Sequence, residues 1–233
     1  MVTIVSFAVW AYSPYPANDE AVRELYQRDD IRLNSDPHLV IIEKTEDGGK
    51  HDGEAMVFFP GARVDPHAYA ATFADFVAQT GMTVIIPRPT LNLALADTRS
   101  AKDLQALASN AVITAVGGHS LGGVKACQMA PELGASHLVL LASYCASDIS
   151  ASTISVITLL GSNDGLTDLA AVDAAEALIP EGSPRLVLEG LNHASFGDYG
   201  PQNGDGVAST PRNLAIQQIT DSLLLHWQPT PAG

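Results

Sequence analysis

The chain has 233 residues, of which 46% are apolar and 16% charged, and its 12 basic and 26 acidic side chains leave a net charge of −14. Such a composition supports a large core and excludes a disordered chain. The acidic balance excludes a nucleic-acid-binding surface, which needs clustered Lys and Arg, and offers anionic membranes no electrostatic attraction.

Met1 to Tyr12 is apolar and breaks at Pro14 and Pro16. Twelve residues fall short of the roughly 20 needed for a membrane span, and the stretch lacks the basic flank and cleavage site of a signal peptide. The expectation is a short element packed on the body and a cytoplasmic protein. The alternative reads residues 1–16 as the remnant of a membrane anchor, with membrane association through that segment.

Beyond it, short apolar runs alternate with helical segments. A leading strand is expected at Ile31–Asn34, then strands at Leu39–Glu43 and Ala55–Phe59, a helix at Ala68–Gln79 and a strand at Thr83–Pro87. A helix at Ser100–Ser109, a strand at Ile113–Gly117 and a helix at Leu121–Ala130 follow. Strands at His137–Leu141 and Ser155–Leu160, a helix at Leu169–Leu178 and a strand at Arg185–Glu189 come next. The last helix, Pro211–His226, opens on the cap Thr210 with proline at its first position.

The strands are rich in Val, Ile and Leu without alternation, as strands covered on both faces should be. The order implies one α/β domain over residues 1–233, with a mostly parallel central sheet of about eight strands and helices on both faces. No linker or internal repeat divides it. Two cysteines, Cys127 and Cys145, make no disulfide framework and are expected to be inert thiols, the first a buried packing residue.

Ligands of such sheets bind beyond the carboxyl ends of the strands, which selects the polar residues standing there. After the fifth strand comes Gly118-His119-Ser120-Leu121-Gly122, a G-x-S-x-G between strand and helix. That is the context of a nucleophile elbow, where glycines leave room for an exposed, strained serine. A serine hydroxyl needs a base. Of the seven histidines, His193 in "LEGLNHASFGDYG" follows the last strand and precedes the final helix. His67, after the third strand, is the alternative; His119 is expected to pack beneath the elbow.

The base needs a carboxylate on its other nitrogen. Asp164, ending the seventh strand in "VITLLGSNDG", fits, with Asp148 beyond the sixth strand as rival and Asp168 as a helix cap. Two backbone N–H groups should hold an oxyanion: Leu121 at the elbow, and Ala62 in "FFPGARVDPHAY", with Arg63 next in line. Arg63 either recognises an anionic substrate group or pairs with Asp65 or Asp198. "GDYGPQNGDG", Asp198–Gly206, has an acidic look but not the D-x-[DN]-x-[DN]-G spacing of a calcium loop, so no metal is expected. No cofactor fingerprint appears.

With serine, acid and base in that order, the chain resembles the α/β-hydrolase superfamily over nearly its whole length. It is similar more narrowly to small bacterial hydrolases related to dienelactone hydrolase, through "FFPGARVDPHAY", "RPTLNLAL" and "LNHASFGDYG". The resemblance implies an α/β-hydrolase fold and a catalytic Ser120, Asp164 and His193. Dienelactone hydrolase uses a cysteine nucleophile, so its substrate does not carry over.

Thirteen residues, 142–154, join the sixth and seventh strands, where related lipases insert a cap domain, so no cap is expected. The site should be open, shaped by loops containing Leu91, Leu93, Tyr144 and Tyr199. These features point to hydrolysis of small or short-chain carboxylic esters. A lactonase, thioesterase or acyltransferase would use the same parts, and an idle ligand-binding fold is the alternative from another class.

Overall fold

The computed structural model describes residues 6, 9–46, 48–109 and 111–227. Eight strands form one sheet: β1 Ile31–Ser35, β2 Leu39–Lys44, β3 Glu54–Phe59, β4 Thr83–Pro87, β5 Val112–His119, β6 His137–Leu141, β7 Ser155–Gly161 and β8 Arg185–Leu188. Their order across the sheet is β1-β2-β4-β3-β5-β6-β7-β8. β2 runs antiparallel to β1 and to β4, and every later pairing is parallel. Among the described residues these α-helices accompany the sheet: α1 Asp19–Leu25, α2 Ala70–Thr80, α3 Ala101–Leu107, α4 Leu121–Glu132, α5 Leu169–Ala175 and α6 Arg212–His226.

The continuous apolar strands are explained by burial on both faces. In β3, Met56 and Phe58 join a core with Phe73, Phe76, Ile219 and Leu223 of α2 and α6. The alternate residues Ala55, Val57 and Phe59 join a second core with Leu104, Ala126 and Met129 of α3 and α4. A strand with period-two side chains can serve two cores only if both its faces are apolar. Phe58 meets Phe73 edge-on at 4.7 Å between centroids. Gly81 ends α2 with φ 77°, a left-handed C-cap that a side chain would strain.

Three sequence expectations are corrected. The last helix has its N-cap at Pro211, because the Thr210 hydroxyl donates to Glu189 O in the preceding turn instead of capping. The expected helices at Ala68–Gln79 and Leu169–Leu178 are each part 3₁₀: Pro66–Tyr69 precedes α2, and Glu176–Leu178 follows α5. Cys127 and Cys145 are not thiols but a disulfide, with Cα atoms 5.4 Å apart. Parallel pairing of β5 with β6 brings α4 against the loop after β6, a proximity that an 18-residue separation does not reveal.

Helix α1 was not expected from the sequence; Asn18 caps it by accepting from the Glu20 amide. Most of the apolar run Met1–Tyr12 lies outside the described residues. Among those described, no helix is long and apolar enough to cross a membrane. Residues that follow lace two loops together: Tyr15 bridges to Val64 and Ala17 to Tyr199. The carboxyl ends of β3, β5 and β7, with the loop after β8, converge beside this segment.

Candidate active site

β5 delivers its last residue, His119, into the core and hands the chain to α4 through Ser120, which has φ 52° and ψ −124°. A non-glycine residue is strained there by about 1–3 kcal/mol, so the surroundings must enforce the turn. They do so by contact. A Cβ on Gly118 would collide with the Gly122 carbonyl, and one on Gly122 with the carbonyls of Phe59 and Pro60. Glycine at both positions lets the start of α4 press against the end of β3. The Ser120 amide donates to Leu141 O at 2.9 Å, and its carbonyl accepts from Ser143 Oγ at 2.6 Å.

On the neighbouring loops Asp164 and His193 meet. The His193 Nδ1–H donates to Asp164 Oδ2 at 2.9 Å, and both side chains are buried. The same oxygen accepts from Thr167 Oγ1 at 2.6 Å, while Oδ1 takes the amides of Leu166 and Thr167. Burial pushes the Asp164 carboxyl up, but the hydrogen bonds from His193 and Thr167 prevail and hold it far below the usual range. The carboxylate is therefore charged, and it fixes the imidazole with Nε2 as the acceptor. Asp148 lies elsewhere, bonded to the amide and hydroxyl of Ser150. Asp168 caps α5 as expected. His67 is held by Asp65 at 2.8 Å and does not join the pair. No hydrogen bond links Ser120 Oγ to His193, a contact that in hydrolytic sites commonly tightens only with substrate.

The third part is the loop after β3. Gly61 N–H donates to Tyr69 Oη at 2.9 Å, and Arg63 N–H donates to Asn92 O at 2.7 Å. Among the described residues no acceptor takes the Ala62 N–H that lies between them. Arg63 sits at φ 58°, and Leu91 and Asn92 at 59° and 53°, so both loops bend sharply where they meet. Tyr69 Oη also lies 2.9 Å from His119 Nδ1. The phenol thus bonds both the Gly61 amide and the His119 ring. Burial, with His193 adding to it, pushes His119 well below its ordinary value and keeps it neutral. Its ring stands 4.5 Å from that of His193, so a buried His119–Tyr69 pair runs beneath the elbow to the Gly61 loop.

A strained serine, an aspartate-held histidine and a free amide thus gather at the strand ends, in the fold just described. A family model of the α/β hydrolases matches residues 55–217. The chain belongs to the α/β-hydrolase family. Among curated proteins none matches the sequence significantly. A solved hydrolase from Thermoplasma acidophilum, described as CIB-like, aligns with TM-score 0.56 at 13% identity, over 83% of this chain and 98% of that one. Esterase 2 of Thermogutta terrifontis, phosphoramylated by tabun, aligns with TM-score 0.55 at 14% identity, over 88% and 97% of the two chains. Its propionate-bound form gives 0.53 at 15%, over 89% and 99%. At these identities the likeness carries the fold.

Within this hydrolase the expected substrate contacts fare unevenly. Leu91 and Leu93 are half-buried on the loop that holds Arg63. Arg63 pairs with neither expected aspartate, since Asp65 is held by Arg88 and His67, and Asp198 by Arg212. Its guanidinium instead donates to Ser13 O and lies over Trp10 and Tyr15, 4.6 and 5.2 Å from the ring centroids. Tyr144 faces a cavity of about 20 Å³ with Val172, Ala175 and Ile179, on the flank of the sheet. Tyr199 packs on Tyr15 and donates its hydroxyl to Gln202. Among the described residues no cluster of His, Cys, Asp or Glu is arranged to hold a metal ion. Sequence reasoning missed Tyr69, Thr167, Asn92 and Asp205. Only Asp205 carried a visible signal, as the acid of a Gly-Asp-Gly turn shortly after the histidine.

Proposed function

We propose that the protein is a serine hydrolase of carboxylic esters, with Ser120 as nucleophile, His193 as base and Asp164 as the acid that orients it. The observation that carries this reading is the 2.9 Å Asp164–His193 bond in the same site as the strained Ser120 elbow. His193 Nε2 takes the Ser120 proton as Oγ attacks the ester carbonyl. The oxyanion is held by the amides of Leu121, free at the first turn of α4, and Ala62. His193⁺ then protonates the leaving alkoxide, and the alcohol departs from an acyl-enzyme. Water, deprotonated by the same imidazole, attacks the acyl carbon; the acid leaves and Ser120 regains its proton.

A related structure in covalent adduct with paraoxon and another bound to propionate support an ester site on this fold. The narrower kinship with dienelactone hydrolase relatives rests on the sequence motifs. A disulfide persists where thiols are not kept reduced, so the Cys127–Cys145 bond favours an oxidising compartment over the cytoplasm.

The test is labelling with a fluorophosphonate and turnover of p-nitrophenyl acetate. Ser120→Ala should abolish both, with turnover down about a million-fold and the thermal transition kept. Labelling of another serine, or hydrolysis by the variant, would overturn the assignment.

A further inference from the structure

Asp205 lies 12 residues beyond His193 and touches neither the Ser120 elbow nor the Asp164 carboxylate, yet its own carboxylate is filled by backbone amides. Oδ1 accepts from His193 N at 3.0 Å, Gly206 N at 2.8 Å and Gly165 N at 3.3 Å, and Oδ2 accepts from Ala194 N at 2.9 Å. Gly165 directly follows Asp164. One carboxylate therefore ties the backbone of the residue next to the acid to the backbone of the base.

His193 and Ala194 open the 3₁₀ turn His193–Phe196. The first amides of such a turn have no partner within it, and a carboxylate is the strongest acceptor for them. Close packing holds Asp205 at this post. A Cβ on Gly165 would come within 2.8 Å of Gly204 O and Gly206 N, and one on Gly206 would collide with Asn163 O. Two side-chain amides stitch the flanks: Asn163 Nδ2 donates to Val207 O and Asn192 Nδ2 to Gly206 O, each at 2.8 Å.

We propose that Asp205 is a positioning residue of the hydrolytic site, whose carboxylate fixes the backbone of His193 against that of the Asp164 loop. The proposal rests on the serine-hydrolase reading above. The imidazole's place is set by two torsions from a backbone that Asp205 clamps on its first two amides. A shift of about 1 Å in a reacting group costs roughly 100-fold in rate. Asp205 makes no contact with substrate, so its loss should be felt in turnover and not in binding.

Asp205→Asn keeps the shape but turns one acceptor oxygen into a donor that faces an N–H. Its kcat for p-nitrophenyl acetate should fall about 10- to 100-fold with KM within about twofold of wild type, in protein verified as folded by circular dichroism. The second readout is a cycle with Asp164→Asn. If Asp205 acts through the acid–base pair, the double variant should lie within about threefold of Asp164→Asn alone, because the geometry it protects is already spoiled. Wild-type kcat in Asp205→Asn, or losses that multiply in the double variant, would overturn the proposal. If Asp205→Asn does not fold, Asp205→Glu takes its place, with the charge kept but displaced by one methylene. The same loss of kcat at unchanged KM is then expected, and wild-type kcat would count against the role. An active Ser120→Ala enzyme is the separate failure of the hydrolase reading itself.

Discussion

The Asp164 carboxylate accepts four hydrogen bonds, from two amides, one hydroxyl and one imidazole. Asp148, its sequence rival, accepts two from Ser150 beside it and lies exposed. Asp164→Asn should therefore lower kcat by about four orders of magnitude, because an amide cannot hold the imidazole in the tautomer with a free Nε2 acceptor. Asp148→Asn should change it by less than about threefold, as an exposed surface substitution does. Steady-state kinetics on p-nitrophenyl acetate decides the pair, and the reverse ranking would put the acid after β6. At this scale the chain was readable where chemistry is written locally. Ser120 stands in a five-residue pattern, and His193 and Asp164 each follow a strand that the apolar runs reveal. Tyr69 was not readable, and Asp205 showed only as the acid of a Gly-Asp-Gly turn, without its role. Each acts through backbone amides on a loop it meets only after folding, and neither that contact nor the need for it shows in its own neighbours. Arg63 illustrates the converse: its charge suggested an aspartate, but two aromatic faces and a carbonyl from the N-terminal segment reached it first.

All eight described strands were readable at the element scale, the six from β2 to β7 because burial on both faces leaves unbroken apolar runs, while the edge strands β1 and β8 are largely exposed. Helix α1 escaped because seven residues show barely two turns of periodicity, and the Thr210 cap failed because its hydroxyl found a carbonyl across the loop. Helix α6 has His226 at its last position and Trp227 as its C-cap. The His226 ring faces His137 at 5.6 Å, Trp227 at 5.4 Å and the hydroxyl and carbonyl of Ser155; beyond His137 lie His51 and Glu54. Burial, reinforced by His137, pushes His226 down to about 4. An unfolded histidine titrates near 6.5. The folded value is the lower one, so protons favour the unfolded chain. The contribution of neutral His226 is complete above about pH 6.5 and is lost as the pH falls toward 4. His226→Gln cannot gain that charge, so it should lose up to about 3 kcal/mol less than wild type between pH 7 and pH 4. Urea unfolding at the two pH values measures the difference. Equal losses in the two proteins would show that the acid sensitivity of this end lies with other groups.

For the whole molecule, what decides the substrate is how the sheet's carboxyl edge is covered. Strand count, order of elements and absence of a cap were readable from spacing alone, since a cap needs chain length that 142–154 does not have. What spacing could not say is how tightly that connection lies down. Ser143, Cys145 and Ile149 within it are buried; Cys145 is bonded to α4, and the Ile149 amide donates to Leu178 O. A connection so pinned cannot rise to form an apolar tunnel above Ser120. Leu121, beside Ser120, is 36% exposed, and Leu95 on the loop after β4 is 51% exposed. These side chains can cover the first carbons of an acyl group, and each methylene they bury is worth about 0.8 kcal/mol. Methylenes beyond their reach would remain in water and gain almost nothing. Along a series of p-nitrophenyl esters, kcat/KM should therefore rise over the first few carbons, peak between acetate and hexanoate, and decline by decanoate. The gain per methylene should approach about fourfold at the start of the series, as 0.8 kcal/mol implies, and vanish at the peak. A constant gain sustained to decanoate would mean that a continuous apolar wall follows the chain outward, and the open-site account would then be wrong.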